Sequence, residues 1–206
     1  MRTWPRLVSL TASILLLVGD ISFAADAPPI KPAETATAIF AGGCFWCIEA
    51  DFEKLPGVIG AESGYTAGKT ANPTYKQVSA GGTGHTEAIR VSYDPAKVSY
   101  QQLIDYFWRH IDPTVKDRQF CDVGTQYRSG IYWQIGDERK IAEASRDALL
   151  NSGKLAQVHT EIAAATAFYP AEEYHQDYYK KNPIRYAFYR KSCGRDARVH
   201  EIWGDK

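Results

Sequence analysis

Thr37-Ala38-Ile39-Phe40-Ala41-Gly42-Gly43-Cys44-Phe45-Trp46-Cys47-Ile48-Glu49-Ala50-Asp51-Phe52-Glu53-Lys54-Leu55-Pro56-Gly57 is the stretch on which the reading of this chain turns. The apolar run Thr37 to Phe40 ends at Gly42 and Gly43. Ile48, Phe52 and Leu55 then recur at helical spacing until Pro56 and Gly57 stop them. A strand, a glycine turn and a helix are predicted, with Cys44 where turn meets helix. Downstream, Val58 to Ser63 is predicted to return as a second strand, and Gly64 to Gly84 to form a long loop. His85 to Tyr93 alternates as a third strand, with Glu87, Ile89, Val91 and Tyr93 on one face. Ser99 and Gln102 form a capping-box pair opening a helix through Leu103, Ile104, Phe107 and Trp108. Gly130 to Gln134 supplies the fourth strand.

The order βαββαβ is the split motif of a ferredoxin-like two-layer sandwich, so the fold class is α+β, an antiparallel sheet backed by helices. Additional helices are expected at Asp137 to Asn151 and at Ala171 to Lys181, entered through Pro170, and a short strand at His159 to Ala163. Beyond Pro183 an irregular C-terminal segment carrying Cys193 is expected.

The sequence has 206 residues, 45% of them hydrophobic, with 24 basic and 24 acidic side chains. This suffices for one globular domain and offers no charge excess for nucleic acid or anionic lipid. Arg2 and Arg6, the apolar run Leu7 to Val18 and the small residues Ser22, Ala24 and Ala25 have the layout of a secretory signal. The expected organisation is a signal peptide over 1–24, a linker over 25–35 and a domain over 36–206. A periplasmic or secreted monomer with no stable membrane insertion after cleavage follows. The single methionine is Met1, which leaves with the signal, so the mature chain lacks this oxidisable side chain.

Cys44 stands where a helix N-terminus favours an anion, which predicts a lowered pKa and a reactive thiol. A buried inert cysteine stays open from position alone. Phe45 and Trp46 flank the thiol without completing the Ile48, Phe52, Leu55 stripe, and can wall an apolar pocket. Glu87 heads an apolar strand face, where desolvation would raise its pKa and make it a general acid; an exposed rim glutamate paired with a base is the other reading.

Gly43-Cys44-Phe45-Trp46, Ser63-Gly64-Tyr65, Asn72-Pro73-Thr74-Tyr75, Gly84-His85-Thr86-Glu87, Asp122-Val123-Gly124-Thr125-Gln126-Tyr127-Arg128-Ser129 and Tyr174-His175-Gln176-Asp177-Tyr178 resemble, in order, the signature segments of the peptide methionine sulfoxide reductase A family. The resemblance implies reduction of the S epimer of methionine sulfoxide, protein-bound or free. In it Cys44 is the nucleophile, Phe45 and Trp46 hold the methyl group, and Glu87 donates a proton. Tyr75 and Tyr127 hydrogen-bond the sulfoxide oxygen, and Asp122 orients the substrate backbone. It implies no bound cofactor and no metal, with thioredoxin or another dithiol as electron donor and oxidised proteins as substrates. It also places a resolving cysteine in the C-terminal segment, pointing to Cys193.

The chain departs from that pattern. Cys47 occupies a position where many members have glycine, Cys121 one where many have asparagine, and no second cysteine follows Cys193. Cys47 therefore stays open as the resolver, although two thiols in one helical turn would need strain relief; Cys121 reads as a buried structural thiol. Two other classes remain. Cys44-x-x-Cys47 has the spacing of a thioredoxin-like oxidoreductase, which would leave Glu87, Tyr75 and Tyr127 idle. A zinc-stabilised binding module would need a second ligand pair that the scattered His110, His159, His175 and His200 do not supply.

Overall fold

A computed structural model of the chain describes Met1 and residues 35–204. The expected signal peptide and linker lie, but for their outermost residues, outside the described residues. No helix among the described residues is long and apolar enough to cross a membrane.

The elements are β1 (Ala36–Gly42), α1 (Phe45–Phe52), β2 (Val58–Thr66), α2 (Tyr75–Ser79), β3 (Thr86–Tyr93), α3 (Tyr100–Trp108), β4 (Arg118–Gln119), β5 (Asp122–Val123), β6 (Ser129–Trp133), α4 (Gly136–Asn151), β7 (Glu161–Ala164), β8 (Tyr169–Pro170), α5 (Tyr178–Lys181), α6 (Pro183–Ser192) and α7 (Arg195–Trp203). They build a mixed α/β fold on a six-stranded sheet of order β7-β6-β1-β3-β2-β8. Every neighbouring pair is antiparallel except β6 and β7. Phe40 of β1 stacks on Phe52 and Phe107 at 5.0 and 5.1 Å between ring centroids, and Ile89, Leu103 and Ile104 close the same layer without exposure. Both halves of the capping box at α3 form, Gln102 N–H donating to Ser99 Oγ and Ser99 N–H to Gln102 Oε1.

Three expectations need correction. The stretch Gly64 to Gly84 is not all loop, because β2 runs on to Thr66 and Thr74 caps the five-residue α2 with a full capping box. Ala171 to Lys181 is helical only over α5. Tyr169 and Pro170 pair with β2 instead, and Gln176 bonds both the N–H and the C=O of Ser63 along that strand. Gln176, bonded to Ser63 of β2, lies outside the helix, and Asp177 enters α5 at φ 53°. The chain beyond Pro183 is not irregular: Pro183 opens α6, and after Gly194, at φ 69°, α7 follows. Proline at a first helical position fits the helix because its missing N–H needs no partner there. Gly194 carries the left-handed break that other residues resist.

Candidate active site

The turn between β1 and α1 places Cys44 as the N-cap of α1, outside the helix proper, with φ −49° and ψ 118°. Cys47 is then the third helical residue. Both thiols lie in the first turn, where N-cap and third-position side chains share one side of the helix start. The two thiols interact electrostatically, and both are free and buried. Gly43 makes the turn possible at φ 81°. A Cβ there would lie 2.5 Å from the Cβ of Gln119, whose amide is bonded twice to the Asp112 backbone.

Around Cys44 the fold gathers Phe45 and Trp46 from the first turn of α1, Tyr75 from the start of α2 and Glu87 from β3. Asp122 comes from β5 and Tyr127 from the 3-10 turn Thr125–Tyr127. They line one cleft of about 220 Å³. An eighth wall residue, Tyr189 of α6, was not foreseen. Its hydroxyl donates to Asp122 Oδ2 at 2.6 Å, and it acts to lower the pKa of Cys44. Only the recognition that residues 183–192 are helical could have found it, since that puts Tyr189 one turn before Cys193.

Trp46 is held by three partners. Its ring stacks on Tyr178 at 3.6 Å, its edge meets Tyr189, and its Nε1–H donates to His175 Nδ1 at 3.0 Å. His175 packs in turn against Phe45 and Tyr75. Burial holds its pKa below the ordinary imidazole value, in keeping with an accepting Nδ1. Glu172 fixes the next layer, taking the Tyr65 hydroxyl on Oε2 and the Tyr75 N–H on Oε1. The Tyr174 to Tyr178 segment thus works as the rear support of an aromatic wall.

Glu87 is 2% exposed. Burial pushes its carboxyl up to about 8; the Phe45 N–H, donating to Oε2 at 3.0 Å, works against this, and Asp122 adds to it. The group is therefore largely protonated at neutral pH, which excludes the exposed rim reading. Burial likewise lifts Tyr75 to about 12 and raises Tyr127, so both phenols are donors. Asp122 is raised by burial against the Tyr189 hydroxyl and Arg195.

For Cys44 the expectation of a lowered pKa is overturned. Burial raises it well above the ordinary thiol value, Cys47 and Glu87 add to the rise, and Tyr189 only partly opposes it. Desolvation at 7% exposure outweighs the helix start. Cys47 is the lowered thiol, through its contact with Cys44 against burial, with Arg195 and Arg190 assisting.

Neither Cys47 nor Cys193 lines the cleft. Cys193 is disulfide-bonded to Cys121, 72 residues away in sequence. Cys121 is exposed at the tip of the β4–β5 hairpin, not a buried structural thiol as expected. Cys121, Asp122 and Cys193 bring three metal-ligating atoms within 4.8 Å of one another, but two of these are the bridged sulfurs.

A thiol facing a protonated carboxyl and two phenols, beside a wall of aromatic rings, defines an oxidoreductase that works through cysteine on a small polar group carried by an apolar one. The family model described as peptide methionine sulfoxide reductase matches residues 36–206. Peptide methionine sulfoxide reductase MsrA 2 of Caulobacter vibrioides is 47% identical over 199 residues, 97% of this chain and 98% of its own. Among solved structures, Mxr1 of Saccharomyces cerevisiae in reduced form superposes with TM-score 0.70 at 33% identity, over 75% of this chain and 89% of that one. Methionine sulfoxide reductase A of Corynebacterium diphtheriae gives 0.66 at 37% identity, over 75% and 77%. The chain belongs to the peptide methionine sulfoxide reductase A family and is an enzyme of that activity.

Proposed function

We propose that the enzyme reduces the S epimer of methionine sulfoxide, protein-bound or free, by oxygen transfer to Cys44. The observation that carries this reading is the buried, protonated Glu87 in one cleft with the Cys44 thiol and the phenols of Tyr75 and Tyr127. The substrate methyl group packs on Phe45 and Trp46, and Asp122 takes the substrate backbone. With Oε2 of Glu87 held by the Phe45 N–H, the other carboxyl oxygen carries the proton toward the sulfoxide oxygen. The Cys44 sulfur attacks the sulfoxide sulfur as that oxygen is protonated. Oxygen ends on Cys44 as a sulfenic acid, and the substrate leaves as the thioether, two electrons richer.

Cys47 is the first resolving thiol in this reading. Its proximity to Cys44 across the helix start supports it, whereas Cys193, the resolver that the family resemblance points to, is already bonded to Cys121. The Cys47 thiol condenses with the sulfenic acid, releasing water and forming a Cys44–Cys47 disulfide. A thioredoxin-like dithiol then restores the thiols; the yeast protein Mxr1 has been solved in complex with Trx2. The strands β6-β1-β3-β2, antiparallel throughout, support a ferredoxin-like core for the fold.

Residues 1–24 act as a signal peptide, so the mature enzyme works as a monomer in the periplasm or outside the cell. Recovery of the native protein in the cytosolic fraction would overturn that placement. The activity is tested by giving the purified chain and its Cys44→Ser variant the separate S and R epimers of a peptide methionine sulfoxide with a small dithiol. Methionine from the S epimer alone, abolished in the variant, is the expected result; methionine from neither epimer defeats the reading.

A further inference from the structure

Glu49 is a buried acid that the reaction leaves unused. It is 1% exposed on α1, three residues after Trp46, so the two side chains share one face of that helix. A carboxyl in such a place is tolerated only when donors from elsewhere in the fold satisfy it. Two reach it: the Asp177 N–H donates to Oε1 at 3.1 Å and the Ser63 hydroxyl to Oε2 at 3.2 Å. Ser63, itself fully buried, also bonds the Gln176 amide through both its backbone N–H and its C=O. Lys180 neutralises the neighbouring Glu53 and Asp177 carboxylates. Glu49 thus ties α1 to β2 and to the entry of α5.

The anchor point is the one where the chain needs holding. Asp177 has φ 53°, a left-handed conformation that a residue with a Cβ resists, and its N–H is the group Glu49 takes. Close on either side of it stand the residues that hold Trp46. Tyr178 stacks on the indole at 3.6 Å, and His175 takes its Nε1–H at 3.0 Å. Glu49, Ser63 and Asp177 themselves do not line the cleft.

From this arrangement we infer that Glu49 is a positioning residue that sets the size selectivity of the methyl pocket: by fixing Asp177 it fixes Tyr178 and His175, and through them the face that Trp46 turns to the substrate. The inference rests on the reductase reading above, in which the substrate methyl group packs on Phe45 and Trp46. A wall held from behind cannot retreat before an added methylene, whereas a released one repacks around it. Loss of Glu49 therefore weakens binding of the methyl sulfoxide and relaxes discrimination against a larger alkyl group, while the proton donor Glu87 is untouched.

The test gives the purified chain and its Glu49→Gln, Glu49→Asp and Glu49→Ala variants two substrates with a small dithiol: the S epimer of a methionine sulfoxide peptide, and the same peptide with S-ethyl in place of S-methyl. The readout is the methyl-to-ethyl ratio of kcat/KM, which does not depend on how much of a preparation is folded. The wild-type chain should favour methyl by about tenfold or more, and Glu49→Gln, whose amide oxygen still accepts from Asp177, should stay within about twofold of that ratio. Glu49→Asp falls one methylene short of Asp177 and Glu49→Ala has no acceptor. In both the ratio should drop to about threefold or less, with KM for the methyl substrate raised about fivefold and kcat within about twofold. If Glu49→Ala does not fold, Glu49→Asp carries the test. A ratio unchanged in Glu49→Asp, or a wild-type chain that reduces both substrates equally well, overturns the inference. No methionine from the wild-type chain overturns the reductase reading instead.

Discussion

Glu87 is a carboxyl made into an acid by position alone. Its strand neighbours Ile89 and Val91 are fully buried, and its one strong hydrogen bond, from Phe45, is too little to offset desolvation. In the proposed reaction its acid form gives the proton, so kcat/KM is expected to fall as pH rises through about 8. Glu87→Gln keeps the shape and the Phe45 contact but has no proton to give. A kcat reduced by roughly 100-fold or more, with that alkaline limb gone, is expected from steady-state pH profiles. The same shift bears on stability. Folding lifts the carboxyl from 4.5 to about 8, so its contribution is intact below 4.5 and is lost as pH rises through about 8. Thermal melts of Glu87→Gln should lack that alkaline decline; an unchanged pH profile of activity would remove Glu87 from the proton-donor role. This residue was legible in the sequence because strand alternation put it on the apolar face. The position of Cys44 was legible too, but not its raised pKa, which depends on how much protein closes over the thiol.

At the scale of elements, the β1–α1 turn determines whether the site exists. Gly43, at φ 81°, packs against Gln119, which is pinned by two hydrogen bonds to Asp112 and has no room to retreat. Gly43→Ala is expected to cost about 2 kcal/mol, from left-handed strain and the clash together, seen as a lower urea midpoint at unchanged m-value. A loss of less than about 0.5 kcal/mol would mean that the β4–β5 hairpin yields easily. The helices α1 and α3 were readable because spacing and caps agreed. α2 was overlooked although Thr74 and Gln77 carry the capping-box signature, because a single turn of helix has no apolar period to see. α6 was overlooked because it buries none of its residues fully, and Ile184 and Phe188 stand 87% and 74% exposed, which erases the amphipathic pattern.

Across the whole molecule, Arg195 ties the C-terminal helices to the catalytic turn. At 2% exposure it donates to the Gly42 carbonyl at 3.1 Å and to the His110 carbonyl at 2.8 Å, lies over Phe120, and faces Asp51. Burial pushes the Asp51 carboxyl up, but Arg195 and Arg190 together hold it below the ordinary range. Arg195→Ala removes the donor to both carbonyls and one of the charges facing Asp51, which keeps Arg190 and Lys54 as ion-pair partners. A loss of about 3 kcal/mol or more in denaturant unfolding is expected. Arg195→Lys should recover only part of it, because one ammonium cannot span both carbonyls and the carboxylate. A loss under about 1 kcal/mol would show that the cluster is not a support of the fold.

The sequence by itself determined the β1–α1 turn, the α+β class, and the place of Cys44 with the six residues expected around it, because these depend on local periodicity and on signature segments written contiguously. Tertiary structure decided the rest. That Tyr189 closes the cleft, that Cys121 meets Cys193 across 72 residues and that Arg195 carries its charge under the catalytic turn follow from the packing of distant segments. Which of the two thiols of Cys44 and Cys47 ionises first is set by their mutual contact together with burial and charges brought in from α6 and α7, and desolvation has no signature in local sequence.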